Sequence, residues 1–228
     1  MDRGTSRYTL KAEPFSSHSV IFAWLGEGHG RRLLDVGAAD GLLARHLTER
    51  GWKVTGIEGD PAMAAAGATH CERMLEVDLN RGVPVLDGLF DAIVCGDILE
   101  HLADPTAVLR ALVAALAPGG DVVVSVPNVA HLWMRLSLLA GRFDYSERGI
   151  LDRTHLRFFT RRTLDALLAA CDLRAVRRVA TPVPLYQVVA PRWHGRALAA
   201  VHTVSANAAR ALPRLLGYQF IVQARRRS

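Results

Sequence analysis

The apolar positions of this chain alternate between short β-branched runs and longer stretches of helical spacing, the pattern of strands joined by crossover helices, which predicts a mostly parallel sheet. Arg32 to Val36 reads as a first strand, and a helix from about Asp40 to Arg50 follows, with Leu43 and Leu47 on one face and Gly51 stopping it. Trp52 to Ile57 and Arg73 to Val77 read as the second and third strands. Between them Asp60-Pro61 opens an alanine-rich helix, with an N-cap and then a proline at the first helical position. Phe90 to Cys95 is a fourth strand. Asp104-Pro105 repeats the capping device before a helix with Val108, Leu109, Leu112 and Leu116 facing inward, which Pro118-Gly119-Gly120 is expected to end. Asp121 to Val126 is an apolar strand of the fully buried kind, closed by Pro127-Asn128.

From His131 to Thr160 the pattern becomes irregular and mixes Trp133, Phe143, Tyr145, Phe158 and Phe159 with charges, as expected of a loop-rich insertion covering a substrate. Thr160 can cap a helix whose Leu164, Leu167, Leu168 and Cys171 form one stripe. Leu173 to Val179 and Tyr218 to Ala224 read as two last strands around a helical stretch from Trp193 to Leu216, and Met1 to His18 as a loosely held arm before a helix from Ser19 to Gly26.

Composition narrows the class. With 228 residues, half of them hydrophobic, the chain can bury one core. The polar start and the lack of any run of about 18 apolar residues argue against a secretion leader and a membrane span, so a cytoplasmic location is expected. Cys71, Cys95 and Cys171 lack paired spacing and read as reduced thiols. The net charge is +6, and Arg157, Arg161, Arg162, Arg174, Arg177 and Arg178 fall late in the chain. They form either a solvated basic face or a contact for a phosphate-bearing or membrane-surface partner.

The most informative segment is Leu33-Leu34-Asp35-Val36-Gly37-Ala38-Ala39-Asp40-Gly41, a buried strand entering a glycine turn and then a helix. Gly37 and Gly41 permit a tight turn and close approach of backbone to a ligand, as in the crevices of open α/β sheets. Glu58 closes the second strand roughly 20 residues later, where an acid can bind both hydroxyls of a ribose. Asp78 can accept from an adenine amino group while Leu79 packs on the ring.

These segments resemble the class I S-adenosylmethionine-dependent methyltransferases, in particular the small-molecule branch near the ubiquinone-biosynthesis O-methyltransferases. LLDVGAADG is similar to the first motif, IEGD to the second, VDLN to the adenine-contacting segment, and FDAIVCGDILEHLADP with LAPGGDVVVSVPN to the later motifs. GILDRTHLRFFT also resembles a segment of bacterial members associated with cell-surface glycan or lipid pathways. The resemblance implies a Rossmann-like α/β fold with a seven-stranded, mostly parallel sheet flanked by helices. It implies one domain: 1–30 an N-terminal arm and helix, 31–128 the cofactor-binding core, 129–160 the lid and substrate region, and 161–228 the C-terminal helices and strands. S-Adenosylmethionine, or S-adenosylhomocysteine as product, is then expected against Asp35, Gly37, Ala38, Ala39, Asp40, Gly41, Glu58, Gly59, Asp78, Leu79, Gly96 and Asp97. Ala39 replaces the usual middle glycine of the first motif, which is tolerable if its φ is negative.

Methyl transfer from a sulfonium needs an aligned nucleophile and, for a hydroxyl, removal of its proton. His101 and His155 are the candidate bases, each with an alternative role in locking a turn or capping a helix. Asp97, Glu100 and His101, at i, i+3 and i+4, share one side of a helical turn, and the resemblance implies magnesium as their possible ligand. The expected partner is a small hydroxylated acceptor such as a sugar, polyketide, quinone or lipid-linked precursor. The basic charge raises an RNA methyltransferase as an alternative, but no RNA-binding module accompanies it, so nucleic acid is not the expected partner. A non-catalytic binding protein on the same fold is the third reading. Oligomeric state has no signature in the sequence.

Overall fold

The computed structural model describes residues 13–227. Seven strands form one sheet in the order β3-β2-β1-β4-β5-β7-β6. They are β1 Arg32–Val36, β2 Lys53–Glu58, β3 Arg73–Glu76, β4 Phe90–Gly96, β5 Leu116–Pro127, β6 Leu173–Thr181 and β7 Gln219–Arg226. β1 to β5 pair in parallel, and β7 runs antiparallel to both β5 and β6. The helices are α1 Ser17–Leu25, α2 Leu42–Glu49, α3 Pro61–Gly67, α4 Pro105–Ala114, α5 Leu132–Leu139, α6 Arg161–Ala170, α7 Leu185–Val188, α8 Arg196–Ala211 and α9 Pro213–Leu216. This is the predicted Rossmann-like architecture of the class I methyltransferase fold.

Alternate residues of the central strands face opposite layers. Leu34 and Val36 of β1 and Val122, Val124 and Val126 of β5 join the core under α4 and α6, whereas Leu33 and Val123 join the core under α1 and α2. Strand order reverses between β1 and β4, so the ends of these two strands open the crevice in which such sheets bind ligands. Gly37 follows one and Asp97 the other.

The predicted caps are present. Asp60 accepts from Ala62 N and Met63 N, Asp104 from Ala107 N, and Thr160 forms a reciprocal capping box with Thr163. Gly51 ends the second helical segment at φ +77°.

Several expectations are corrected. Leu116 and Pro118-Gly119-Gly120 belong to β5, because Leu116 pairs with Phe90 across a register shift; α4 ends at Ala114. The insertion contains the regular helix α5, whose Met134 packs with Ile150 and Leu151. The stretch from Trp193 to Leu216 is broken where Leu212 leaves helical geometry before Pro213. α1 begins at Ser17, two residues earlier than expected, with Ser16 as its cap. Most of the arm expected over residues 1–18 lies outside the described residues, but its last part, 13–18, lines the central cavity.

Candidate active site

A cavity of about 500 Å³ opens at the ends of β1 and β4. Of the sequence-predicted residues, Asp35, Gly37, Ala38, Ala39, Asp40, Glu58, Gly96, Asp97, Glu100, His101 and His155 line it. Gly41, Gly59, Asp78 and Leu79 do not. Asp78 is exposed beside Gly59, and the Leu79 side chain is buried in the core.

The two motif glycines serve the protein's own packing. Both have left-handed φ, +75° in each case. A Cβ on Gly37 would lie 2.8 Å from the Ile98 side chain, and one on Gly41 would lie 2.8 Å from the Gly67 backbone. The space they save is therefore taken by Ile98 and α3. Between them Ala39 is left-handed at φ +48°, so the negative φ on which tolerance of alanine was premised is absent. An L-residue there costs about 1 kcal/mol. Ala39→Gly should accordingly raise the melting temperature by roughly 2 to 4 °C, and an unchanged or lower melting point would mean that the turn carries no strain.

Glu58 holds this turn in place. Its Oε2 accepts from Ala39 N at 2.8 Å, while Oε1 accepts from Gly59 N and Asp60 N, each at 2.8 Å. Asp35 is 2% exposed, and its Oδ2 has no hydrogen-bond partner among the described residues. Burial, and then the negative charge of Glu58, push its carboxyl up to about 7. Among the charged residues of the lining carboxylates predominate, with Arg148 the one guanidinium among the described residues, in a chain of net charge +6. The cavity thus favours a cationic guest, and the unpartnered Asp35 oxygen offers it an acceptor. The donor set fits a sulfonium nucleoside.

On the β4 side, Asp97 is left-handed at φ +55° and is turned toward β5 and β7. Its Oδ1 accepts from Ser125 Oγ at 2.5 Å and from Gln219 Nε2 at 2.9 Å. The structure therefore brings His155, rather than Asp97, to Glu100 and His101: one ligand atom from each of these three lies within 4.8 Å of the others. His101 and His155 meet edge to face at 4.8 Å between ring centroids. Their loops are pinned together, since Leu156 N and Arg157 N both donate to the Glu100 carbonyl at 2.8 and 2.9 Å.

The tautomers follow from geometry. His101 Nδ1 lies 3.2 Å from the Thr154 carbonyl and His155 Nδ1 lies 3.0 Å from the Ile150 carbonyl. A carbonyl only accepts, so each Nδ1 carries the proton and each neutral ring keeps Nε2 as an acceptor. Burial, and next the neighbouring His155, hold His101 below the usual histidine range, which keeps its basic form in neutral solution.

Sequence reasoning missed Ser16, Ser17 and His18 of the N-terminal segment, Arg148 of the insertion, and the Ser125 and Gln219 partners of Asp97. A signal existed for Ser125, a polar residue inside the apolar run Val122 to Val126; it and Gln219 are both buried.

The crevice and its glycine turn define a protein of the Rossmann-like methyltransferase class. Residues 8–178 match the family described as methyltransferase domain, and the chain belongs to that family. It is 38% identical over 136 residues to the ubiquinone biosynthesis O-methyltransferase of Xanthomonas axonopodis pv. citri, a match covering 57% of this chain and 56% of that relative. The chain thus spans little more than half the length of the curated relative it matches. The magnesium protoporphyrin IX methyltransferase of Synechocystis, solved with bound S-adenosylhomocysteine, has the same fold (TM-score 0.62, 16% identity, 92% of this chain and 82% of that one). So does the cyclase SpnF (TM-score 0.62, 20% identity, 98% and 85%), and the fold alone does not set the chemistry.

Proposed function

We propose that this domain transfers the methyl group of S-adenosylmethionine to an oxygen of a small hydroxylated acceptor, such as a sugar, polyketide, quinone or lipid-linked precursor. The observation that carries this reading is the meeting, in one acid-lined cavity, of the Gly37 turn, the Glu58 carboxylate and two histidines with acceptor Nε2 atoms. The match to an O-methyltransferase supports oxygen as the acceptor atom. S-Adenosylmethionine supplies a methyl group on a positively charged sulfur and needs no further activation. Asp35, Gly96, Glu58 and the backbone of the Gly37 turn would hold it, with Asp78 just beyond the cavity wall. The protein's remaining tasks are alignment and proton removal. His155 or His101 takes the hydroxyl proton on Nε2, while the Nδ1 hydrogen bonds fix each ring.

Calorimetry with S-adenosylhomocysteine tests the site. Wild type should bind at micromolar or tighter affinity, and Glu58→Ala should lose roughly 1 to 3 kcal/mol, because a charged acceptor is removed and Ala39 N loses its partner. No binding by a folded wild type would overturn the proposal.

A metal-assisted second reading is favoured by the Glu100, His101 and His155 cluster. Two imidazoles and one carboxylate match zinc, nickel or iron better than magnesium, which prefers an all-oxygen octahedron. Methyl transfer that is abolished by chelation and restored by a metal would select it. Among the described residues no helix is long and apolar enough to cross a membrane. We read the domain as cytoplasmic.

A further inference from the structure

Three buried polar groups in the cavity wall are used by none of the steps above. Ser17, Thr181 and His202 all line the cavity and are 1%, 3% and 4% exposed. Ser17 Oγ, Thr181 Oγ1 and His202 Nδ1 have no hydrogen-bond partner among the described residues. A buried polar atom left unpaired is costly, and three around one cavity point to a ligand. They come from elements that meet at one end of it. Thr181 ends β6, four strands from β1 in the sheet and so about 19 Å from the Gly37 turn at ordinary strand spacing. α8, which carries His202, packs on β6. His202 Nε2 lies 2.9 Å from the Pro14 carbonyl, and Ser17 follows three residues after Pro14 on α1, which packs on the neighbouring strand β7. This end lies away from the Gly37 turn and is left for the second substrate.

The chemistry of the three groups selects the ligand. A carbonyl only accepts, so the neutral His202 ring carries its proton on Nε2, and Nδ1 is purely an acceptor. The ligand atom opposite Nδ1 must therefore bring a proton. A prenyl tail has none to give, and neither has an ionised carboxylate. The two hydroxyls both donate and accept, which suits partners that do the same. Pro182 follows Thr181, Pro184 comes two residues later, and Tyr218 N donates to the Thr181 carbonyl at 2.8 Å, so these three lining residues give the same end an apolar wall. A few placed polar groups on an apolar wall orient a small ligand. A ring bearing several hydroxyls meets all of these demands.

We propose that Ser17, Thr181 and His202 form the acceptor subsite, and that the acceptor is a polyhydroxylated ring of the sugar kind, held through hydroxyls other than the one methylated. The inference rests on the methyl-transfer reading above and chooses among the acceptors that reading allows. These residues set specificity, and proton removal stays with His101 or His155. A site built to hydrogen-bond a hydroxyl rejects an analogue that lacks it, because its own buried groups are then left unpaired.

Three substitutions test it. Thr181→Val and Ser17→Ala remove a hydroxyl with little change of shape, and His202→Gln keeps a donor for the Pro14 carbonyl while losing the Nδ1 acceptor. Without ligand, the first two should melt at or above wild type, because each removes a buried polar atom that has no partner among the described residues. All three should bind S-adenosylhomocysteine as wild type does. The full chain saturated with S-adenosylhomocysteine is then titrated by NMR with methyl β-D-glucopyranoside, the polyol probe, and with p-cresol, an apolar ring with a single hydroxyl. Wild type should bind the glucoside more tightly. Each variant should weaken it by roughly 2-fold to 10-fold, the worth of one hydrogen bond, and leave p-cresol unchanged. The inference falls if Thr181→Val and Ser17→Ala melt several degrees below wild type, since their hydroxyls would then be structural. It also falls if wild type takes p-cresol as well as the glucoside or binds neither, or if the variants keep full affinity for the glucoside. Failure of folded wild type to bind S-adenosylhomocysteine overturns the transferase reading instead, and the melting comparison still decides whether these groups are held for a ligand.

Discussion

Replacing His101 or His155 by alanine should lower the methyl-transfer rate by about 100-fold to 10,000-fold, the usual contribution of a general base, while S-adenosylhomocysteine affinity stays near wild type. The two variants separate the roles. The ring that takes the acceptor's proton should carry nearly all the loss in kcat, and the other should act through the 4.8 Å edge contact that orients its neighbour. The acidic limb of the pH profile adds a readout that a merely structural histidine would not move. Burial and His155 disfavour the imidazolium of His101, so if His101 is the base, kcat/KM should rise with pH and level off below the ordinary histidine range near 6.5. In His155→Ala, with the neighbouring ring gone, that limb should shift upward. A loss that chelators reproduce and added metal reverses would assign the pair, with Glu100, to a metal instead. Near-normal rates in both variants, with or without chelator, would mean that the acceptor is already nucleophilic and alignment alone suffices.

The parts of this site that were legible in the sequence are those built from contiguous residues. The strand from Arg32 to Val36 and the turn at Gly37 follow from a short, largely apolar run meeting a glycine, and Asp60-Pro61 and Asp104-Pro105 specify helix starts through local hydrogen bonds. Asp35 and Glu58 reach the same cavity because parallel strands bring their ends to one edge. What was hidden depends on contacts distant in sequence. His101 and His155 could each be named, but their meeting depends on two main-chain bonds from Leu156 and Arg157 to the Glu100 carbonyl, and side-chain type carries no trace of these. Asp97 was grouped with Glu100 and His101 by helical spacing. The chain there is instead left-handed, and Ser125 and Gln219 capture its carboxylate from two other strands. The sign of φ at Ala39 was equally unreadable, because residue type sets only a preference that the surrounding turn overrides.

Asp35 should make both cofactor affinity and stability depend on pH, in opposite directions. Its carboxyl titrates at about 7 in the folded protein because burial, then Glu58, disfavour the charge, whereas an unfolded aspartate titrates near the usual 3.8. The folded state therefore binds the extra proton between those values. Its contribution to stability is complete below about pH 4 and is lost as pH rises through about 7, by up to about 4 kcal/mol for a shift of this size at 1.36 kcal/mol per pH unit. A cationic ligand reverses the preference, since a positive charge beside the carboxylate favours ionisation. Binding then releases the Asp35 proton, and S-adenosylmethionine affinity should fall by up to about tenfold per pH unit as pH drops below 7. Asp35→Asn keeps the shape and removes the titration. Without ligand at pH 8 this variant should melt above wild type, and at pH 4 the difference should vanish. With ligand it should bind more weakly than wild type at pH 8, and its affinity should lose most of the pH dependence below 7. Calorimetry in buffers of different ionisation enthalpy counts the released proton directly. Parallel melting curves at all pH values, together with an affinity that is flat between pH 5 and 8, would show that Asp35 is charged in the free protein and plays no part in selecting a cation.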